Sequence, residues 1–247
     1  MSPEILVVRR GLLPYEEGLE LQRRLESARQ ADAVPDVLLL LEHPPVYTRG
    51  RRSTAEELPM GVEWYEMQGI EVLDTDRGGR VTYHGPGQLV AYPIVSLRPY
   101  GDDVHAYVRG LEQVAISSLA EYGVEAGTIE GLTGIWVPDR RADMSTPRRL
   151  IGPSAAKIGS IGVHVSRAVT THGLAINVNN DLQPFEWVVP CGIDECRVTS
   201  LGRELGAEQD LDAFAATLAA RYGEVFGRDP VPTEAARLET ALGTLAG

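Results

Sequence analysis

The segment Val37-Leu38-Leu39-Leu40-Leu41 is a continuous apolar run, bounded by Pro35 on one side and by His43-Pro44-Pro45 on the other. Such a run between turn residues is typical of a strand that is covered on both faces of a sheet. Before it, the residue pattern predicts a short strand at Ile5 to Val8 and a helix at Tyr15 to Ala28 with one apolar face. The chain therefore opens with a strand, a helix and a strand.

The remaining elements do not alternate strictly between strand and helix. Helices are predicted at Val104 to Tyr122 and Leu211 to Phe226, and the alanine-rich segment after Asp229 predicts a last helix packed on the outside. Because strands come in groups and helices in a few places, we expect an α+β fold with a mixed sheet rather than a doubly wound parallel sheet. The further predicted strands are Ile70 to Asp74, Leu89 to Ile94, Gly134 to Val137, Lys157 to Val165 and Val169 to Val178.

Length and composition indicate an ordinary globular chain. At 247 residues and 43% hydrophobic, it is long enough to bury a large core in one domain, with or without a small appendage. No apolar run approaches the roughly 20 residues that span a bilayer, and the N-terminus lacks the pattern of a signal peptide. We therefore expect a cytoplasmic protein without a membrane segment, in which Cys191 and Cys196 are reactive, metal-binding or inert rather than bridged.

The net charge of −12 argues against a nucleic-acid-binding protein, which needs a positive surface to displace counterions from phosphates. An acidic partner would need a local basic patch. Two arginine-rich loops offer one, although solvated loops with no partner are the simpler interpretation. They contain Arg49, Arg51 and Arg52, and Arg140, Arg141, Arg148 and Arg149.

Lys157 is the only lysine of the chain, against 22 arginines. Where a positive charge alone suffices, arginine evidently serves, so this position needs something that lysine alone provides. A lysine can give up its proton near neutral pH when its surroundings favour the neutral amine, whereas a guanidinium stays charged. Lys157 is therefore a candidate general base, with a chance survival in an arginine-biased chain as the alternative.

The segment RGGRVTYHGPGQL, from Arg77 to Leu89, places four glycines, two arginines and a histidine between two predicted strands. Glycine lets the backbone approach a ligand closely, but it also marks tight turns, so a binding loop and a glycine-rich hairpin both remain open. Neither the phosphate-loop motif nor GxGxxG before a helix occurs, so the familiar nucleotide-binding motifs are absent from the sequence.

Cys191 follows Pro190 and precedes Gly192, which suggests a thiol on a turn. A thiol there is suited to nucleophilic attack, with the following amide groups available to stabilise an oxyanion. A buried inert cysteine is the alternative, which the pairing with the sole lysine makes the weaker one. His84 and His172 are candidates either for ligand contacts or for core hydrogen bonds, whereas we interpret His105 and His164 as structural.

The three blocks RGGRVTYHGPGQL, KIGSIGV at Lys157 to Val163 with THGLAINV at Thr171 to Val178, and PCGI at Pro190 to Ile193 closely resemble lipoyl(octanoyl) transferases in order and spacing. The resemblance implies the fold of the biotin and lipoate protein ligase catalytic domain, as a single domain over residues 1–247. Cys196 and the arginine-rich segment Pro138 to Pro153 match no motif of that family.

The resemblance also implies the activity, which is transfer of octanoyl from octanoyl-acyl carrier protein to a lysine of lipoyl domains. The acceptors would be lipoyl domains of 2-oxoacid dehydrogenase complexes and the glycine cleavage H protein. It makes Cys191 the nucleophile that carries the acyl thioester and Lys157 its activating partner, with no cofactor and no metal. It assigns the acyl-substrate pocket to Arg77, Gly78, Gly79, Arg80, Val81, Thr82, Tyr83, His84, Ser160, Ile161, Gly162, Gly173, Leu174 and Ala175.

Two other functions remain possible from the residues. An ATP-dependent lipoate or biotin ligase on the same fold would form an acyl-adenylate and would need no nucleophilic cysteine. A zinc-binding structural or regulatory protein would use Cys191, Cys196 and histidines, although the chain lacks the paired CxxC or HxxxH spacing of strong zinc sites.

Overall fold

The structure is a computed structural model, and it describes residues 2–138, 155–188 and 197–243. Its helices are α1 (Tyr15–Gln30), α2 (Val62–Met67), α3 (Val104–Glu121), α4 (Gln183–Glu186), α5 (Leu201–Leu205), α6 (Leu211–Phe226) and α7 (Ala235–Gly243). Its strands are β1 (Glu4–Leu12), β2 (Asp36–Glu42), β3 (Val46–Arg49), β4 (Glu71–Asp74), β5 (Thr82–His84), β6 (Gln88–Ile94), β7 (Gly127–Ile129), β8 (Leu132–Val137), β9 (Ala156–Ser166), β10 (Val169–Asn177), β11 (Arg197–Val198) and β12 (Asp229–Pro232).

Nine of these strands form one large mixed sheet within the described ranges. Its order is β12-β1-β2-β6-β10-β9-β8-β7, and β11 pairs with β9 beside that path. Strands β12, β1 and β2 run parallel to one another, whereas the pairs from β2 to β7 are antiparallel. The α+β class with a mixed sheet flanked by helices is thereby confirmed.

Helices cover both faces of the large sheet. On one face α3 and α6 pack through Leu111, Val114 and Leu218 against strand residues such as Leu38 and Ile176. On the other face the apolar side of α1 and the short α7 pack against β2 and β6. Every residue of β2 except its last is buried, as a strand between two helical layers requires. The predicted outer position of the C-terminal helix is confirmed, since α7 contacts α1 and β1.

A second, three-stranded sheet of order β4-β3-β5 was not anticipated from the sequence. The glycine-rich segment contributes β5 to this small sheet and β6 to the large sheet, so it links the two sheets and does not form a hairpin. Gly87 makes the connection possible, because its φ is +84° and an added Cβ would lie 2.8 Å from the Asn180 nitrogen. The small sheet is thereby held beside β9 and β10.

Proline explains the edge strand β12, which the sequence did not predict as a strand. Pro230 and Pro232 lack an N–H group, so they are tolerated only where a strand has one partner. Here β12 pairs with β1 alone and is parallel to it.

Within the described ranges, no helix combines the length and the hydropathy needed to cross a membrane.

Candidate active site

A cavity of about 790 Å³ lies where the small sheet, strands β8 to β10 and helix α3 meet. Nearly all of the residues that the sequence assigned to a site line it, although they come from segments about eighty residues apart. These are Lys157, the residues from Arg77 to Thr82, His84, the residues from Ser160 to Gly162 and those from Gly173 to Ala175. The fold therefore gathers the glycine-rich segment and the sole lysine in one place.

Tyr83 is the exception among the assigned pocket residues. Strand side chains alternate between faces, so Thr82 and His84 line the cavity while Tyr83 points to the opposite side of β5. There it packs in the small apolar core, with its ring 5.5 Å from that of Tyr47 and 5.4 Å from that of Phe185. Tyr83 thus supports the wall from behind.

Cys191 and Cys196 fall in residues 189–196, outside the described residues. Val188, the last described residue before that segment, and Val198, the second described residue after it, line the cavity. Among the residues that the structure describes, no three or more His, Cys, Asp or Glu side chains converge to hold a metal ion.

Lys157 lies at an irregularity in the pairing of β9 with β8. Gly159 pairs with Ile135 but Lys157 pairs with Trp136, so one extra residue of β9 is accommodated between them. Such a bulge redirects the neighbouring side chains. The Lys157 ammonium nitrogen lies 5.5 Å from the centre of the Trp136 ring, in reach of a cation–π interaction.

Gly134 makes room for this lysine. A Cβ at position 134 would lie only 2.8 Å from the Lys157 Cε and 3.5 Å from its Nζ, and Gly134 has a φ of +135° that few other residues adopt. Its N–H points toward the Glu112 carboxylate of α3, at 3.4 Å. We call Gly134, Trp136 and Lys157 the lysine wall of the cavity.

Arg77 is buried and its guanidinium is held by the protein. Its Nε and Nη2 donate to the Thr48 hydroxyl at 3.1 and 2.7 Å, Nη2 also donates to the Thr48 carbonyl at 2.6 Å, and Nη1 donates to the Gly78 carbonyl. The Gly78 N–H donates to the Val163 carbonyl at 3.0 Å. Arg77 therefore joins the small sheet to β9 as well as lining the cavity.

Glycine is required where these segments touch. A Cβ at Gly162 would lie 2.7 Å from the Gly78 carbonyl oxygen, and one at Gly50 would lie 2.6 Å from that of Gly79. A Cβ at Gly173 would lie 2.2 Å from the Ala91 carbonyl oxygen. These glycines keep backbone segments in direct contact around the cavity.

The other side of the cavity is formed by tyrosine and histidine rings, which we call the histidine wall: Tyr15, His43, His84, Tyr92 and His172. Neighbouring rings lie close together, with centroids 5.0 Å apart for Tyr15 and His43 and 5.7 Å apart for His43 and His84. Tyr15, His84, Tyr92 and His172 line the cavity. The sequence had suggested only His84 and His172.

His43 packs behind the four rings of the histidine wall that line the cavity, and it has a fixed tautomer. Its Nδ1 is 2.6 Å from the Leu13 carbonyl, which can only accept, so Nδ1 carries the proton and Nε2 accepts from the Tyr92 hydroxyl at 2.8 Å. Burial lowers the pKa of His43 to about 4. The sequence did contain a signal for His43, since it directly follows a buried strand and precedes two prolines. From the sequence, this signal was used only to mark the end of that strand.

His84 is also neutral and fixed. Gln88 uses its amide nitrogen to donate to the Tyr83 carbonyl and to Asn177, so its oxygen accepts from His84 Nδ1 at 2.7 Å. Burial lowers the pKa of His84 well below its ordinary value, and nearby His43 lowers it further. His84 Nε2 is then left as the acceptor of this ring.

His172 lies within β10 with a φ of +57°, and its N–H donates to the Gln22 side chain at 2.6 Å. Its Nε2 donates to Asp76 at 2.8 Å, and this hydrogen bond lowers the pKa of Asp76 to about 2. Burial lowers the pKa of His172. His164, interpreted from the sequence as structural, lies 3.9 Å from Asp76, a residue that the sequence did not single out.

The arginines of the first candidate patch separate in the structure. Arg49 pairs with Asp74 at 2.8 Å, whereas Arg51 and Arg52 are exposed and Arg52 lines the cavity. From α3, exposed His105 and Arg109 also line it. The second patch, Arg140 to Arg149, lies outside the described residues.

Several known proteins are similar to this chain in sequence. Curated relatives named octanoyltransferases are 47% identical in Salinispora tropica, over 83% of this chain and 88% of the relative, and 46% identical in Mycolicibacterium smegmatis, over 93% of each. A third, from Solibacter usitatus, is 44% identical over 90% of this chain and 93% of the relative.

Solved structures share the fold at low sequence identity. A bi-partite lipoate protein ligase from Thermoplasma acidophilum matches with a TM-score of 0.70 at 17% identity, covering 99% of this chain and 92% of that one. A lipoate-protein ligase A bound with ATP matches with a TM-score of 0.63 at 16% identity, covering 99% and 94%. The model of the lipoyl protein ligase A/B catalytic domain matches residues 14–223, and the chain belongs to this family.

Proposed function

We propose that this protein transfers an octanoyl group from octanoyl-acyl carrier protein to a lysine of lipoyl domains, through a thioester on Cys191. The observation that carries the proposal is the cavity that brings Lys157 together with the glycine-rich segment and with residues from β9 and β10. The relatives named octanoyltransferases support the same activity. The acceptors would be lipoyl domains of 2-oxoacid dehydrogenase complexes and the glycine cleavage H protein, in the cytoplasm.

In the first step, the Cys191 thiolate attacks the thioester carbonyl of the donor. The bond from the acyl carbon to the carrier sulfur breaks as the bond to the Cys191 sulfur forms, and the carrier thiolate leaves and takes up a proton from the Lys157 ammonium, which leaves the Lys157 amine neutral for the second step. One thioester replaces another, so no nucleotide is consumed. A nearby ammonium such as that of Lys157 favours the thiolate of a cysteine, whose ordinary pKa is about 8.5.

In the second step, the amine of the acceptor lysine attacks the acyl-enzyme. An amide forms, the Cys191 thiolate leaves, and the proton of the attacking amine must be removed. Lys157 in its neutral form would accept that proton. The same side chain would thus serve both steps, which is the property that separates lysine from arginine at this position.

The sequence position of Cys191 is consistent with this chemistry. Val188 lines the cavity and precedes Cys191 by three residues, and an extended chain spans at most about 11 Å over that separation. Lys157 lies in the same cavity, and Val198 of the paired β11 lies on the other side of the segment.

The acyl chain would occupy the apolar part of the cavity, where Val81 and Leu174 are almost fully buried. Burial of each methylene contributes about 0.8 kcal/mol, so an eight-carbon chain gains several kcal/mol over short acyl groups. The remaining pocket residues that we propose, from Arg77 to His84 and around Gly162 and Gly173, shape this cavity and hold its walls together.

The test is incubation with octanoyl-acyl carrier protein in the absence of ATP, followed by mass spectrometry of the intact protein and its peptides. We expect a thioester-linked octanoyl adduct on Cys191 that disappears with lipoyl domain and never forms in Cys191→Ser. An ATP-dependent ligase would remain unmodified under these conditions. Absence of the adduct in the folded wild-type protein would refute the proposal.

A further inference from the structure

The lining of the cavity is positively charged, although the whole chain carries a net charge of −12. Among the described residues that line it, five cationic side chains face one carboxylate, that of Glu112. They are Arg52, Arg77, Arg80, Arg109 and Lys157. A cleft of one sign with low-dielectric walls concentrates ligands of the opposite sign, so the cavity favours an anionic ligand.

Three of these cations already have defined interactions within the protein. Arg77 donates to Thr48 and Gly78, and Arg80 pairs with the buried carboxylate of Glu57 at 2.7 Å. Lys157 lies over the Trp136 ring. These three side chains shape the walls.

Arg52 and Arg109 differ from them. Both are exposed, and no ion pair within the described part of the chain joins either to a carboxylate. The Arg52 backbone is nevertheless fixed, because its N–H donates to the Gly79 carbonyl at 3.0 Å. The backbone position that carries the Arg52 side chain is therefore fixed at the rim of the cavity.

Arg109 is fixed to the same region by helix α3. It precedes Glu112 by three residues, which is about 4.5 Å along a helix axis. The Glu112 carboxylate lies 3.4 Å from the Gly134 N–H, and Gly134 lies against Lys157. Arg109 is thus roughly one helical turn from Glu112, whose carboxylate reaches the lysine wall.

A donor thioester on a phosphopantetheine arm fits this distribution of charge. The arm carries the reacting thioester at one end and a phosphodiester at the other, and guanidinium groups match phosphate oxygens in charge and geometry. We propose that Arg52 and Arg109 bind the phosphate of the donor's arm while its thioester reaches Lys157. This inference rests on the proposed function and adds to it the group by which the donor is recognised.

The first experiment compares two small donors, octanoyl-pantetheine and octanoyl-4′-phosphopantetheine, which differ only in the phosphate. In the double variant Arg52→Gln, Arg109→Gln, the ratio of kcat/KM for the phosphorylated donor to that for the other should fall about tenfold. Arg237→Gln, the same change on exposed α7 outside the cavity lining, should leave the ratio unchanged. An unchanged ratio in the double variant would overturn the inference.

Measurements with octanoyl-acyl carrier protein as the donor distinguish recognition of the arm from recognition of the carrier's own surface. If the double variant loses kcat/KM with the carrier donor while the ratio for the two small donors is unchanged, the arginines recognise acidic protein surface, and the assignment to the phosphate is wrong. A loss with both the carrier and the phosphorylated arm supports it. The loss should shrink as salt is added, because exposed charges are screened.

A binding measurement keeps the inference independent of catalysis. Titration calorimetry with 4′-phosphopantetheine and pantetheine, neither of which carries an acyl group, should show tighter binding of the phosphorylated arm by the wild-type protein and loss of that preference in the double variant. Equal binding of both compounds by the wild-type protein would refute the phosphate site. Failure of the proposed transfer would instead appear as absence of the Cys191 adduct with every donor.

Discussion

The lysine wall and the histidine wall border the same cavity but differ in how their side chains are held. Lys157 is partly exposed, and its cation is placed by the face of Trp136 and by the missing side chain of Gly134. On the histidine wall, each imidazole is buried and held by hydrogen bonds of 2.6 to 2.8 Å. One wall keeps a partly exposed charge, and the other keeps buried neutral rings in place.

The difference indicates a division of roles. A side chain that must exchange protons needs access to solvent or substrate and room to move. Rings that burial holds neutral can line a pocket for an uncharged acyl chain without presenting it with a charge. Changes at the lysine wall should therefore affect turnover first, and changes at the histidine wall should affect stability and its pH dependence first.

The largest effect is expected from Lys157→Arg. Arginine keeps the positive charge but cannot act as a base, so turnover of octanoyl to a lipoyl domain should fall about a hundredfold or more. The free energy of unfolding should change by less than about 1 kcal/mol, because the side chain is partly exposed. The control is Arg237→Lys, an exchange of the same two residue types at an exposed position outside the cavity lining, which should leave turnover unchanged. Near-normal turnover of the arginine variant would leave position 157 with an electrostatic role only.

The histidine wall should make stability depend on pH. His43 has a pKa of about 4 in the folded protein against an ordinary value of 6.5, so between these values the unfolded chain binds a proton that the folded protein does not. The free energy of unfolding should therefore fall as the pH drops from 6.5 toward 4, by up to about 3 kcal/mol from this group. His84 and His172 have pKa values shifted in the same direction.

Denaturant titrations from about pH 8 to about pH 4 measure this slope. His43→Gln, which cannot titrate, should show a shallower slope than the wild type. Parallel slopes would show that His43 does not contribute. Asp76, whose pKa is lowered to about 2, acts in a separate window: its contribution is present above its ordinary value of 3.8 and is lost as the pH falls toward 2.

Local pattern predicted the long elements of this fold well. The apolar run of β2 and the periodic faces of α1, α3 and α6 carry their signal within a few consecutive residues. Of the small sheet, local pattern predicted only β4, at Ile70 to Asp74, and gave no signal for its pairing with β3 and of β3 with β5. Strand β3 has four residues and follows two prolines, and its partners β4 and β5 lie more than twenty and more than thirty residues further along the chain. Pairing of short distant strands depends on tertiary contacts.

The same limit applies to the site. Lys157 and the glycine-rich segment were found because one is unique in composition and the other belongs to a recognisable block. Tyr15, His43 and Asp76 were missed because their place in the cavity lining or directly behind it depends on how α1, β2 and the small sheet pack together. Tyr83 lay inside a recognised block, yet the two-residue period of β5 turns it away from the cavity.

Gly134→Ala should weaken the lysine wall without touching its charge. The added Cβ would lie 2.8 Å from the Lys157 Cε and 2.9 Å from the Gly159 carbonyl oxygen, so the amine and the adjoining backbone of β9 must shift, and turnover should fall about tenfold. Gly123→Ala is the matched control, because Gly123 also has a positive φ, +75°, but nothing lies within 4 Å of an added Cβ. Equal turnover in the two variants would remove Gly134 as a positioning residue.

The smallest expected effect is the difference in the free energy of unfolding between two variants that each lack one tyrosine hydroxyl group of the histidine wall. Tyr92→Phe removes the donor to His43 Nε2 at 2.8 Å and leaves a buried acceptor unsatisfied, which should lower the free energy of unfolding by about 1 kcal/mol. Tyr15→Phe removes a longer hydrogen bond, 3.3 Å to the Thr75 hydroxyl, and should cost less. Denaturant titration near neutral pH measures both. If Tyr15→Phe cost as much as Tyr92→Phe, the tight hydrogen bond to His43 would not be what holds this wall rigid, and the contrast with the lysine wall would rest on burial alone.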